Sequence, residues 1–498
     1  MYPALLIDEI FREIIRFVLD DDPQKGKTTL VSVARTCQAW TNAALDLVWE
    51  RLFSLEPLLS LLIDSQKPTN RKTPVDIQTF GFYAQRVKHI HQRHTFNLAA
   101  DQHALIKLFL GKETLLPKVR SVKLSAKSSP GTLLQFVASP SLHRLDLDLG
   151  FQSSSSASDD PFCDLLLHAR TACPSLRHLN LRGSSSKRLN CVLSSMNDME
   201  TVTLRMGSSL RPETVVAMMT SPRLTELEIH AGHIDLEDLE ECLAHLPSST
   251  VLLSALTKLC LRAKGPTMSH LLSFIASDSF NQLQLDLDDT VAGATAWDAV
   301  FEAIPTTAAH TLTHISLEHH FELTAPSASF PSSTDASQPV DWDRPQANLS
   351  FENLAILRKF RQLQHFSCDF TVPPCLRDQD LQKVLLWWPD LTYLDIAISS
   401  GSNEKSLTTP LTITSLLLIA QLRPNLERLI LPLIVDQVPV LPSGSLSGSQ
   451  LRNLSIADIR TTDTQHLARY LKALFPLLKT LHGSDDDSQT WIDVRSGL

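Results

Sequence analysis

A chain of 498 residues, 43% hydrophobic and 20% charged, has the apolar material for a large core and more than one structural unit. Its formal net charge of −9 and sequence pI near 6.0 exclude the general electrostatic footprint of a nucleic-acid binder. The cysteines (Cys37, Cys163, Cys173, Cys191, Cys242, Cys260, Cys368 and Cys375) are scattered without a Cys-x-x-Cys spacing. Most lie in apolar surroundings, as reduced, buried thiols do. No stretch reaches the roughly 18 consecutive apolar residues of a membrane span. "MYPALLIDEIFREI" carries acids where a signal peptide needs an unbroken apolar core. The expectation is a soluble intracellular protein, of cytoplasm or nucleus, that binds neither nucleic acid nor membrane.

Along the chain, the first predicted element is an amphipathic helix with Leu6, Ile10, Ile14 and Phe17 on one face. "DDDPQKGKTTLVSVA" follows, and its Gly26-Lys27-Thr28 looks like the end of a phosphate loop. The first glycine of that motif would fall at Asp21, between Asp20 and Asp22, so carboxylates stand where phosphate charge should settle. The segment before it also has helical spacing where the motif needs a strand. The tripeptide therefore reads as a polar loop between helices. Leu30, Val33, Cys37 and Trp40 then space a second helix, and Leu45, Val48 and Trp49 in "NAALDLVWERLF" a third. Three short helices make a small core, so a partner surface is expected.

In this N-terminal stretch the sequence resembles an F-box, over Ala4 to about Phe53. Leu6, Asp8, Glu9 and Ile10 fall in register with the family's Leu-Pro-x-Glu-Ile opening, Ile7 standing where proline is usual. Val33, Ala34, Cys37, Trp40 and Trp49 match its second half.

From about Val87 one phrase recurs, Leu-x-x-Leu-x-Leu, as in "PSLRHLNL", "PRLTELEI", "PDLTYLDI" and "PNLERLIL". Its first apolar residue falls at Val87, Val119, Leu142, Leu176, Met199, Leu224, Leu256, Phe280, Leu312, Leu363, Leu391, Leu426, Leu451 and Leu478. Most intervals are 23 to 35 residues, and the one from Leu312 to Leu363 is 51. This is a leucine-rich-repeat pattern. Helical segments such as "PFCDLLLHARTAC", "LEDLEECLAHL" and "DTQHLARYLKALF" lie between copies, so strands and helices alternate into a solenoid. The asparagine or cysteine usual after such strands is mostly missing. The predicted fold is α/β: a three-helix module at 1–55, a helical connector at 56–85, and a solenoid of about 14 irregular repeats at 86–498, with parallel strands on its concave face and helices on its convex face. Ser/Pro/Gly-rich inserts are expected near 152–160, 325–348 and 442–449.

Other constellations carry no chemistry in this reading. His89, His91 and His94 lack a further ligand at metal spacing. The Asp20–Asp22 and Asp485–Asp487 runs lack the alternation of a calcium loop, and "SGSLSG" contains no Gly-x-Ser-x-Gly. Of the pair Trp387-Trp388, the first is expected in the core and the second near the rim. No catalytic set, metal site or cofactor site is expected. What remains is surface: the residues two, four and six after each first apolar one point onto the sheet face. They give Arg93, Lys123, Arg144, Arg182, Arg205, Lys258 and Arg262 as candidate target-binding residues, with Asp286, Glu318, Asp369 and Asp395 further along. Arg144, Arg182 and Arg205 are expected to form one basic row facing an acidic target segment.

A helical docking module joined to such a solenoid resembles the F-box and leucine-rich-repeat proteins, particularly fungal ones. The resemblance implies docking on the Skp adaptor and, through it, on cullin, with the repeats holding a target protein for ubiquitination. Leu6, Ile7, Ile10, Ile14, Leu30, Val33, Cys37 and Trp40 are the candidate adaptor contacts. The alternative is a repeat scaffold acting outside any ubiquitin ligase, which the Ile7 departure favours. Deleting 326–347 should leave the circular dichroism and unfolding midpoint nearly unchanged, because long loops add little closure entropy. A cooperative loss of structure would show that segment to be a folded element.

Overall fold

Each repeated phrase becomes a strand that starts two residues after its first apolar residue. The computed structural model describes residues 7–21, 23–61, 74–94, 114–128, 136, 138–151, 160–289, 295–320, 349–371, 373–396, 411–440, 448–483 and 489–498. Two compact units divide the chain, Met1–Met218 and Met219–Leu498.

The first unit begins with helices α1 (Asp8–Asp21), α2 (Pro23–Thr36) and α3 (Gln38–Glu50). Its strands are β1 (Arg51–Leu52), β2 (His89–Gln92), β3 (Ser121–Ser125), β4 (Arg144–Gly150), β5 (His178–Gly183) and β6 (Thr201–Arg205), each paired in parallel with the next. The second unit carries β7 (Glu226–His230), β8 (Lys258–Ala263), β9 (Gln282–Leu287), β10 (His314–His319), β11 (His365–Phe370), β12 (Tyr393–Asp395), β13 (Arg428–Val435), β14 (Asn453–Ile459) and β15 (Thr480–His482). These too pair in parallel with their neighbours in chain order. Parallel neighbours require a crossover, and helices such as Asp160–Ala172, Leu236–Ala244 and Thr464–Leu474 lie between strands in the chain.

Alternation places the leucines inward. Leu145 and Leu147 of β4, Leu179 and Leu181 of β5, and Leu259 and Leu261 of β8 are all buried. So is the first apolar residue of each phrase from Val87 to Leu451; Leu478 alone is half-buried.

Just ahead of most strands the backbone repeats one arrangement. The Lys88 carbonyl accepts from the N–H groups of Arg120 (2.8 Å) and Ser121 (3.2 Å). The Arg120 carbonyl accepts in turn from His143 (2.8 Å) and Arg144 (3.0 Å). In the second unit the Thr225, Thr257, Asn281 and Thr313 carbonyls do the same for the following repeats. Buried polar side chains add single clamps where the repeated asparagine is missing. Asn190 donates from Nδ2 to Ser185 Oγ and to the Ser186 and Ser209 carbonyls, each at 3.0 Å. Its Oδ1 accepts from Thr214 Oγ1 and the Arg211 N–H.

Several sequence expectations change. Gly26-Lys27-Thr28 lies inside α2 rather than in a loop, because Pro23 suits a helix's first turn and lets the helix start early. The second helix does not run through to Trp40. It ends at Thr36, Cys37 is extended (φ −150°, ψ 132°), and Trp40 belongs to α3. Thr36 and Cys37 are both weak helix formers, and the break turns Trp40 onto Phe11. Arg51 and Leu52 leave the expected third helix to make β1, which pairs with β2 through Arg51↔His89 and Leu52↔Ile90. Strand pairing therefore starts before the expected connector at 56–85, of which Glu56–Ser60 and Pro74–Ala84 are helical. The two tryptophans exchange roles. Trp388, past the end of its helix, is fully buried against Phe366 (4.7 Å), while Trp387 is half-buried on Phe351. The proposed inserts lie outside the described residues except for Asp160, which opens a helix, and Gly448 and Ser449.

Two glycines permit one tight rung. Gly150 (φ +74°) ends β4 opposite Gly183 (φ +112°) of β5, and a methyl group on Gly183 would collide with the Gly150 backbone. Gly183→Ala should cost about 3 kcal/mol, from strained φ and backbone displacement together. Gly207→Ala, also at positive φ (+56°) but with open space around it, should cost about 1 kcal/mol. Chemical unfolding of both variants checks the difference, and equal costs would refute the collision.

Candidate functional site

Three surfaces of this structure carry side chains that the fold does not consume. The first is on α1. Phe11 and Ile15 face inward and form a core with Leu30, Ala43 and Leu47, against which Val33, Trp40 and Val48 pack. The Trp40 ring stacks on Phe11 with centroids 5.0 Å apart. The adjoining stripe of α1 and its entry, Ile7, Ile10, Ile14 and Phe17, is 43 to 69% exposed. A contiguous run of exposed large apolar residues is unusual on a soluble surface. Arg12 bridges Asp8 (2.7 Å) and Asp46 (3.0 Å), and Arg86 also holds Asp46, fixing α1 and α3 against the segment that enters β2.

The structure thus separates the adaptor candidates. Ile7, Ile10 and Ile14 point outward. Leu30 is corrected to a core residue, fully buried because α2 closes the module at that point. Val33 and Trp40 are half-buried against the core, Cys37 is half-exposed at the break before α3, and Leu6 lies outside the described residues. Lys27, the lysine of the phosphate-like tripeptide, donates to the Arg51 carbonyl at 3.0 Å, and burial lowers its pKa.

The second surface is the sheet face of β1–β6. The expected row of Arg144, Arg182 and Arg205 does not form as such. Arg182 and Arg205 are partners in register, but Arg144 pairs with His178 and lies two rungs nearer the strand entry. Arg144 is also bound to Asp146 (3.1 Å), and Asp148 stands opposite Arg182, whose guanidinium rests 5.6 Å from the Phe151 ring centre. Arg93 donates from Nε to His91 at 3.1 Å, and Lys123 is exposed beside His91. Among the described residues no three His, Cys, Asp or Glu side chains converge as a metal site.

The third surface is the sheet face of the second unit. Residues at the same offset in consecutive strands come into register there: Lys258, Gln282, His314, His365, Tyr393 and Arg428. Four of them stack. His314 and His365 ring centres are 5.4 Å apart, His365 and Tyr393 3.9 Å, and the Arg428 guanidinium lies 5.4 Å from the Tyr393 centre. Tyr393 donates to Asp395 (3.1 Å), and the next rungs hold Ser316 with Ser367 and Gln284 with Glu318. Burial, then the neighbouring His314 and Arg428, push the His365 pKa down to about 4. Lys258 is exposed, whereas Arg262 is held by Asp288 (2.9 Å) and Asp286 (3.5 Å). His314, His365 and Tyr393 were not candidates from the sequence, although all stand two residues after a repeat start.

No family model and no curated protein matches the chain. Solved structures do. The leucine-rich-repeat-containing protein LegL7 from Legionella pneumophila is 18% identical, over 66% of this chain and 96% of that one, with a TM-score of 0.37. A structure of the Rad7 and Elc1 complex in yeast is 13% identical over 67% and 77%, at 0.38. A Bacteroides fragilis protein is 11% identical over 64% and 76%, at 0.29. Likenesses this distant carry no argument about partners; the leucine-rich-repeat architecture rests on the strand register itself. No helix among the described residues is long and apolar enough to cross a membrane.

The stacked histidine has a measurable consequence. An imidazole with a depressed folded-state pKa takes up its proton more readily when the chain unfolds. Its neutral packing therefore contributes fully above about pH 6.5 and is lost as the pH falls towards about 4. His365→Gln should flatten the fall of the unfolding midpoint between those pH values. A wild-type slope retained in that variant would place the titration elsewhere.

Proposed function

We propose that the chain is the substrate-recognition subunit of a Skp–cullin–F-box ubiquitin ligase. In this reading α1–α3 dock on the Skp adaptor, and the sheet faces of the repeats hold a target protein. The observation that supports it most directly is the exposed stripe Ile7, Ile10, Ile14 and Phe17 on a helix whose adjoining face closes a separate small core. A helix that satisfies its own fold and still leaves four large apolar residues in water suits a partner helix or groove. The chain itself performs no chemistry. It raises the effective concentration of a target lysine near a ubiquitin-carrying enzyme. Ile7 in the family's proline position favours a second reading, a repeat scaffold that binds proteins outside any ligase.

Ile10→Asp combined with Ile14→Asp should weaken capture of purified Skp adaptor by about a hundredfold or more, because docking would bury unpaired carboxylates. Both side chains are solvent-exposed, so the unfolding midpoint should stay near wild type. Undiminished capture by the folded double variant would sink the assignment. Capture of the adaptor without recruitment of cullin would favour the scaffold.

A further inference from the structure

The first strands of the sheet face hold an exposed ring with one lysine over it and further cations on the neighbouring strands. Phe53, just after β1, is 60% exposed, with the His91 ring 6.1 Å away and the Lys27 ammonium 5.2 Å from its centre. The register sets Arg51 beside His89 and His91 beside Lys123, with Arg93 beyond His91 and Arg120 just ahead of β3. Two acids border the patch and both are engaged: Glu50 holds Lys88 at 3.0 Å and Asp146 holds Arg144. Among the described residues no carboxylate lies within ion-pair distance of Arg51, Arg93, Arg120 or Lys123. In a chain of net charge −9 this is a local reversal of sign.

We propose that the sheet face of β1–β3 receives an acidic segment of the target protein, with an aromatic side chain of that segment set against Phe53. The proposal rests on the target-receptor reading above and adds the chemistry of the target. Parallel strands stand about 4.8 Å apart, so three of them span roughly the length of three extended residues. A peptide laid across them meets Arg51 on β1, Arg93 just past the end of β2 and Lys123 on β3. Singly these exposed charges contribute little, but as a group they govern association rate and salt sensitivity. His89 and His91 feel the same field. Burial lowers both pKa values first; Arg51, Lys88 and Arg120 lower that of His89 further against Glu50, and Arg93 and Lys123 that of His91 against Asp146, leaving neutral rings beside the cations. A nucleic acid fits less well, because its backbone would run on from Lys123 onto Asp146 and Asp148, the next positions on the same face.

The test uses the full chain and fluorescence anisotropy of labelled peptides, with glutamates around one phenylalanine as the probe. Matched probes replace the glutamates by lysine or the phenylalanine by serine, and an oligothymidylate of equal charge is the fourth. The acidic phenylalanine peptide should bind with strong salt dependence, the serine version several-fold more weakly, and the lysine version not at all. Arg51→Glu, Arg93→Glu and Lys123→Glu together should weaken binding about tenfold or more. Arg170→Glu, Lys187→Glu and Lys472→Glu, which make the same charge change away from this face, should not. Arg51→Lys should retain binding, which guards against a folding defect in the triple variant. Binding unaffected by the triple variant, equal binding of the lysine peptide, or tighter binding of the oligothymidylate would each overturn the proposal. Adaptor capture is measured separately. Capture without acidic-peptide binding removes this inference alone, and acidic-peptide binding without capture removes only the ligase assignment.

Discussion

One backbone arrangement underlies the rest: a carbonyl ahead of most strands that accepts two N–H groups from the following repeat. A carbonyl oxygen has two lone pairs, and at the Lys88, Arg120, His143 and Arg177 positions both are used. The double bond fixes where the next strand starts, and that start sets the register of every outward residue after it. In the second unit Thr257, Thr313 and Thr392 add a side-chain hydroxyl to the same carbonyls, so the clamp is reinforced where a repeated asparagine would otherwise be expected.

With the register fixed from the backbone, side chains on the two faces obey different demands. Inward positions must fill space, and Leu, Ile, Val and Phe do so almost without exception. Outward positions meet their counterparts one strand away, which makes neighbours of residues far apart in the chain. The His314–His365–Tyr393–Arg428 stack and the cations around Phe53 are both products of that geometry. They also differ in kind. The first is a preassembled row whose rings cover one another, and the second is an exposed ring with a lysine over it.

The repeat starts were legible because Leu-x-x-Leu-x-Leu states the inward pattern directly. The strand at Arg51–Leu52 was not, since its apolar lead-in doubles as the end of α3 and helical spacing masked it. The break at Cys37 and the exchange between Trp387 and Trp388 hinge on one residue's backbone leaving the helical region, which a periodic pattern does not register. For the surfaces, residue type was readable and pairing was not. Arg144 has the right charge and offset for a binding face, yet Asp146 two residues on engages it. The stacked row was hidden in the sequence by intervals as long as 51 residues between Leu312 and Leu363, although comparing equal offsets across repeats would have exposed it. On α1 the stripe pattern was clear, but which stripe faces water depends on Phe11 and Ile15 meeting α2 and α3.

Because the clamp between repeats is made by main-chain atoms, it is indifferent to the side chain that each clamping residue carries. Lys88, Arg120, Thr225, Asn281 and Glu427 all serve in that position. Mutation can therefore rewrite the outward letters of one rung while its neighbours keep their alignment, and the stability cost stays local. A sheet face built this way can change its surface chemistry by small steps, each viable by itself. The fold keeps the grammar constant and leaves the vocabulary free to drift.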